Sequence, residues 1–210
     1  MLGGVKAVRA GMLFVISAPS GAGKSTLCSE LLRRCKDIRL SVSYTTRQQR
    51  NGEINNVHYT FISEKKFKSM ITGGKFAEWA MVHGNLYGTS VDRLKKLSRE
   101  GYDILLDIDV QGARQVKRSY KNAVYIFILP PSMGILKKRL VKRKTESKEA
   151  VAMRLTKAKD EISSYKEYDY VIINDKLDQA YRQLESIIMS ERLRTINFSD
   201  KQMKTILGHL

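Results

Sequence analysis

The stretch "LFVISAPSGAGKSTLCSELL", residues 13–32, restricts what this chain can fold into more than any other. An apolar run ends abruptly, a glycine-rich turn follows, and Leu27, Leu31 and Leu32 then recur at helical spacing. A strand that turns through glycine and restarts as a helix aims backbone N–H groups and a helix N-terminus at one point, which is an anion site. "APSGAGKS" fits the phosphate-loop pattern G-x-x-x-x-G-K-[ST], except that Ala18 adds one methyl where the first glycine stands. On that pattern Ala18, Pro19, Ser20, Gly21, Ala22 and Gly23 wrap the phosphates of a nucleoside triphosphate, and Thr26 follows in the first helical turn. Lys24 reaches the β- and γ-phosphates, and Ser25 ligates Mg²⁺.

The remaining elements imply the surrounding architecture. "MLFVIS" (residues 12–17), "YDILLDIDVQG", "AVYIFILPP" and "YDYVIIND" are continuous apolar strand candidates, and the closing helix puts Leu177, Ala180, Tyr181, Leu184, Ile187 and Ile188 on one face. Strands apolar on both faces, alternating with helices, predict an α/β fold: three layers around a central parallel sheet. Residues 40–88 differ. Short alternating pieces broken by "RNGEINN", "TGGK" and "HGN" predict strands and turns around one short helix. Residues 132–166 predict two helices split by "KRKTESKE".

Composition narrows the partners. The chain has 210 residues, 42% of them hydrophobic, which suits one globular domain, and its formal net charge of +17 favours anionic ligands. Nucleic acid is not expected, because no RNA-binding aromatic motif or helix-turn-helix accompanies the charge. Cys28 and Cys35 are seven residues apart on one predicted helix. Their α-carbons are then about 10 Å apart, too far for a disulfide. Unpaired thiols suit a reducing cytoplasm. Lys6 and Arg9 before an apolar run superficially resemble a signal peptide, but cleavage there would cut into the glycine loop, so residues 1–12 read as an N-terminal arm. No stretch approaches membrane-spanning length.

A phosphate loop does not say what is done with the nucleotide. "DVQG" (residues 109–112) mimics the Asp-x-x-Gly of GTPases, yet "INDKLD" does not supply the Asn-Lys-x-Asp base reader of that class. More decisive are "SVSYTTRQQRNGEINNVHYTF" and "EWAMVHGNLYGTS". With these the sequence resembles the guanylate kinase family, whose GMP-binding signatures are S-x-T-T-R-x-x-R-x-G-E…Y-x-F and E-W-A…G-N-x-Y-G. The resemblance runs from about Leu13 to Arg192. Singly, an arginine or glutamate in a polar loop is usually a solvated surface residue; the matched pattern gives these a common purpose.

The chemistry agrees with the pattern. A nucleoside monophosphate is held by guanidinium forks and tyrosine hydroxyls, which Arg47, Arg50, Tyr59 and Tyr87 provide, with Glu53 orienting the arginines. Guanine offers two N–H donors to a carboxylate such as Glu78 and an O6 acceptor to Ser43. The resemblance adds Asp109 and Thr89 near the base, Asn174 at the adenine, and Asp107 as an acid holding Mg²⁺ through water. It also implies a helical lid over ATP whose arginines match Arg139, Arg143 and Arg154, while Lys137, Lys138, Lys142 and Lys144 read as a solvated face.

The implied organisation is a core of residues 13–39, 89–135 and 167–193, a small mixed GMP-binding subdomain at 40–88, a lid at about 136–166 and a tail at 194–210. The implied reaction is phosphoryl transfer from ATP to GMP, with Mg²⁺ as cofactor, no membrane partner and the oligomeric state left open. A guanylate-kinase-like interaction module without catalysis is the alternative, although such modules typically lack the loop lysine retained here as Lys24. Gln49 stands where the family often has proline, and Asn56 and Lys144 where it often has glycine. His58, His83 and His209 form no metal-ligand pattern, and Trp79 reads as core.

Overall fold

The computed structural model describes residues 10–82, 84–142, 148–198 and 204. Strand β1 (Leu13–Ser17) leads through the glycine turn into α1 (Lys24–Arg34) and β2 (Ile38–Leu40). The chain then leaves the core for β3 (Tyr44–Thr45), β4 (Thr60–Phe61), α2 (Glu64–Thr72), β5 (Phe76–Val82) and β6 (Asn85–Ser90). It returns with α3 (Val91–Arg99), β7 (Asp103–Asp107), α4 (Val110–Ser119) and β8 (Val124–Leu129). Helices α5 (Met133–Lys142) and α6 (Lys148–Ser163) precede β9 (Tyr170–Ile173) and α7 (Leu177–Arg192).

Five strands form a wholly parallel sheet in the order β2-β7-β1-β8-β9. Alternation along β1 divides the core. Phe14 and Ile16 pack with Leu27, Leu31, Leu184 and Ile188 of α1 and α7, whereas Val15 packs with Leu94, Ala113 and Val116 of α3 and α4. Those clusters are the outer layers of the expected three-layer fold. Register Ile16↔Asp107 brings the ends of β1 and β7 together, so the loop after β1 and the acid ending β7 share the carboxyl edge of the sheet.

The other sheet, β4-β3-β6-β5, is mixed: β3 and β4 run parallel and the remaining pairs antiparallel. With α2 it supplies the strands and single short helix expected of residues 40–88. Helices α3 and α4 are not among the elements expected from the sequence. Both are short and announced by their caps, for Ser90 Oγ accepts from Arg93 N and Asp109 Oδ1 from Gly112 N. Helices α5 and α6 pack together through Leu136, Leu140, Val151 and Ala158.

Candidate functional site

The half expected to take the donor is built mostly from backbone. Helix α1 begins at Gly23 with no side-chain cap and no acid in its first turn, leaving its leading N–H groups to a ligand. Gly23 has φ 94°, and a Cβ there would lie 2.3 Å from the Asn174 amide nitrogen. Only glycine fits. That amide donates to Ala22 O at 2.8 Å, while the Arg139 guanidinium donates to Asn174 O at 2.9 Å and to Ala22 O at 3.3 Å. Asn174 and Arg139 thus brace the loop from β9 and α5. Lys24 Nζ is 2.5 Å from Asp107 Oδ1 and donates to Ile108 O at 2.9 Å. Glu161 of α6, which the sequence reading missed, accepts from the Ser20 N–H, and burial raises its pKa.

Side chains from distant segments build the half expected to take the acceptor. Glu78 on β5 is only 5% exposed and accepts a 2.5 Å hydrogen bond from the buried Thr89 Oγ1 on the adjacent β6. Burial pushes the Glu78 carboxyl up to about 7, the Thr89 bond opposes this, and the charge of Asp109 adds to it. Helix α4 approaches this carboxylate at Gly112, where a Cβ would sit 2.9 Å from Glu78 Oε2. Any side chain there would displace the glutamate.

Farther out, Arg47 pairs with Glu53 at 2.6 Å and lies over the Tyr59 ring at 5.4 Å, and Tyr59 meets Tyr87 edge-on at 5.7 Å. Glu53 orients the Arg47 guanidinium, but it binds Arg50 through the backbone N–H, at 2.8 Å, and Arg50 is exposed. Asn56 takes φ 63°, a left-handed conformation that asparagine tolerates better than most residues, so the missing family glycine leaves this turn intact.

One cavity of about 370 Å³ joins the halves. Lys24, Ser25 and Asp107 line it, and so do Ser43, Tyr59, Glu78, Tyr87 and Asp109. Residues spread from 24 to 109 in the sequence therefore face one space of nucleotide-binding size. Thr89 stands behind Glu78, and Arg154 is half-buried on α6; Arg143 lies outside the described residues.

The guanylate kinase family model matches residues 10–191. The chain belongs to the guanylate kinase family. It is 50% identical to the guanylate kinase of Geobacter metallireducens over 187 residues, covering 89% of this chain and 92% of that one. The guanylate kinase of Histophilus somni is 49% identical over 203 residues, with 95% and 97% covered. The crystal structure of guanylate kinase from Anaplasma phagocytophilum superposes with a TM-score of 0.74 at 34% identity, covering 90% of each chain.

Kinases of this family act on ATP with a divalent cation, and the oxygen donors suit Mg²⁺. Ser25 and Asp107 both line the cavity, and no cluster of three or more His, Cys, Asp or Glu that could hold a metal occurs among the described residues. Mg²⁺ typically takes one or two protein oxygens and completes its shell with water and phosphate.

One reading changes. Trp79 is 39% exposed rather than core, because it lies on the outer edge of β5. Its backbone N–H and C=O are engaged by the Gln115 side chain of α4, at 3.1 and 2.8 Å. Gln115 thereby substitutes for a neighbouring strand next to Glu78, and no sequence signal marks it. His58 also lines the cavity, but its Nδ1 accepts from Ile54 N at 2.9 Å, a loop-forming contact.

Proposed function

We infer that this chain transfers the γ-phosphoryl group of ATP to GMP, giving ADP and GDP. The observation that carries this is the single cavity running from Lys24 and Asp107 to Glu78 and Tyr87, since it lets a donor phosphate and a guanine nucleotide meet. The GMP phosphate, with a second pKa of about 6, is largely dianionic at neutral pH and needs no general base. The protein's work is positioning and charge neutralisation.

In this reading Arg47, Arg50, Tyr59 and Tyr87 hold the acceptor phosphate, and Glu78, Ser43, Thr89 and Asp109 hold guanine. Lys24, now paired with Asp107, exchanges that partner for the transferring phosphate. Ser25 and Asp107 would hold Mg²⁺, which when bound offsets phosphate charge. Asn174 and Arg139 keep the loop in shape, and Arg143, Arg154 and Arg139 supply positive charge from the lid. Opposite lobes carry the two anions, so residues 40–88 and the lid at about 136–166 close on them and exclude water. X-ray scattering with a bisubstrate analogue should show a more compact particle; unchanged curves would argue against closure.

The free thiols of Cys28 and Cys35 favour a cytoplasmic location, and no described helix is long and apolar enough to cross a membrane. Coupled measurement of ADP release with GMP, AMP, UMP or no acceptor tests the reaction. GMP should dominate, and equal rates with all three acceptors would overturn the guanine assignment.

A further inference from the structure

We propose that Ser41 is a further specificity-determining residue, whose hydroxyl hydrogen-bonds the acceptor nucleotide. Ser41 is 4% exposed, and its Oγ has no hydrogen-bond partner among the described residues, yet it lines the cavity. A buried hydroxyl without a partner forfeits its hydration for nothing in return. A ligand atom in that cavity would supply the missing bond.

Position in the sheet selects the acceptor over ATP. Ser41 directly follows β2, and its own N–H is tied to Leu105 O at 3.0 Å. Strand β7 separates β2 from β1, which feeds the phosphate loop. At the usual spacing between strands that puts Ser41 roughly 10 Å from the donor phosphates. In the extended chain leaving β2, Ser41 and Ser43 are two positions apart and share a face, and both line the cavity. Ser41 is therefore the deeper of two hydroxyls presented to the same ligand.

The inference rests on GMP occupying this cavity, so Ser41→Ala is compared with Glu78→Gln. In Ser41→Ala the KM for GMP should rise about three- to tenfold, the worth of one neutral hydrogen bond, while the KM for ATP stays unchanged. The thermal midpoint of the ligand-free protein should hold or rise, because an unpartnered buried hydroxyl has been removed. The stabilisation conferred by GMP should shrink. Ser41→Cys, nearly isosteric with a weakly bonding sulfur, should also raise the KM for GMP and keeps the test valid if the alanine variant does not fold.

A lowered midpoint with an unchanged KM for GMP would make the hydroxyl structural and overturn the proposal. Equal increases in both KM values would overturn it as well. If Glu78→Gln raises the KM for GMP and neither Ser41 variant does, the Ser41 inference alone fails. If none of the variants raises it, the placement of GMP in the cavity fails with it.

Discussion

The phosphate loop and the guanine pocket recognise their ligands with different materials. Around the loop, residues consecutive in sequence present backbone N–H groups, and side chains such as Asn174 and Arg139 serve to fix that backbone. In the pocket proposed for guanine, side chains are placed to do the reading: Glu78 from β5, Thr89 from β6 and Asp109 from the start of α4 converge from separate segments. A backbone site recognises phosphate, which every nucleotide carries. A pocket of buried side chains can distinguish one base from another, at the cost of holding a carboxylate out of water. Changes in the loop should therefore abolish transfer to every acceptor, and changes in the pocket should alter the choice among acceptors.

The largest expected effect is on the loop side. Lys24→Ala should lower kcat by about a thousandfold with all acceptors, the scale seen when one charge-stabilising group is lost. Its far-ultraviolet circular dichroism should match wild type. Turnover near the wild-type value would remove Lys24 from the chemistry.

Next comes the pocket. Glu78→Gln should cut kcat/KM for GMP by about a hundredfold, because charge-assisted bonds to two guanine donors are lost. The preference for GMP over AMP should narrow, since an amide can rotate to offer either a donor or an acceptor. ATP affinity, measured by calorimetry, should not move. If the GMP to AMP ratio stays constant, Glu78 does not read the base.

Acidity probes the same residue more gently. Guanine needs the carboxylate form, so with Glu78 titrating at about 7 the KM for GMP should rise as pH falls below that value, by up to about tenfold per unit. Second ionisation of the GMP phosphate adds a dependence near pH 6, which Glu78→Gln retains while losing the part due to the glutamate. Stability should move in the opposite sense. Between the ordinary carboxyl value of 4.5 and about 7 the folded protein keeps a proton that the unfolded chain has released, so stability falls as pH rises through that window and then levels off. Wild-type and Glu78→Gln denaturation midpoints followed across this range should diverge in that manner.

The smallest effect belongs to Gln115. Its two bonds to Trp79 are exposed, so water can replace them in Gln115→Ala, and a loss of about 1 kcal/mol is expected. The KM for GMP should rise severalfold with kcat nearly constant, because the strand carrying Glu78 loses its outer partner. A fall in kcat without a change in KM would separate Gln115 from base positioning.

Much of this molecule was legible in residue order. Glycines 21 and 23, Lys24 and the apolar run before them specify a strand, a turn and a helix start by local rules, and unbroken apolar strands imply a parallel sheet covered on both faces. The GMP signatures were legible as a pattern because Arg47, Arg50, Glu53 and Tyr59 fall within one short segment. Helices α3 and α4 were harder to read: Val91, Leu94 and Leu97 in one and Val110, Ala113 and Val116 in the other do recur at helical spacing, but helices of 9 and 10 residues fall short of the length over which such a period stands out.

Tertiary structure alone decided how those pieces meet. Glu78 is an ordinary glutamate until β6, Thr89, Asp109 and Gly112 close around it and remove its water, and no local pattern encodes that enclosure. Trp79 looked like core because its size and apolarity do not disclose that β5 is an edge strand. Gln115 and Ser41 are silent in sequence for the same reason: one matters for the strand edge it satisfies, the other for the partner it lacks, and both are properties of surroundings contributed by other parts of the chain.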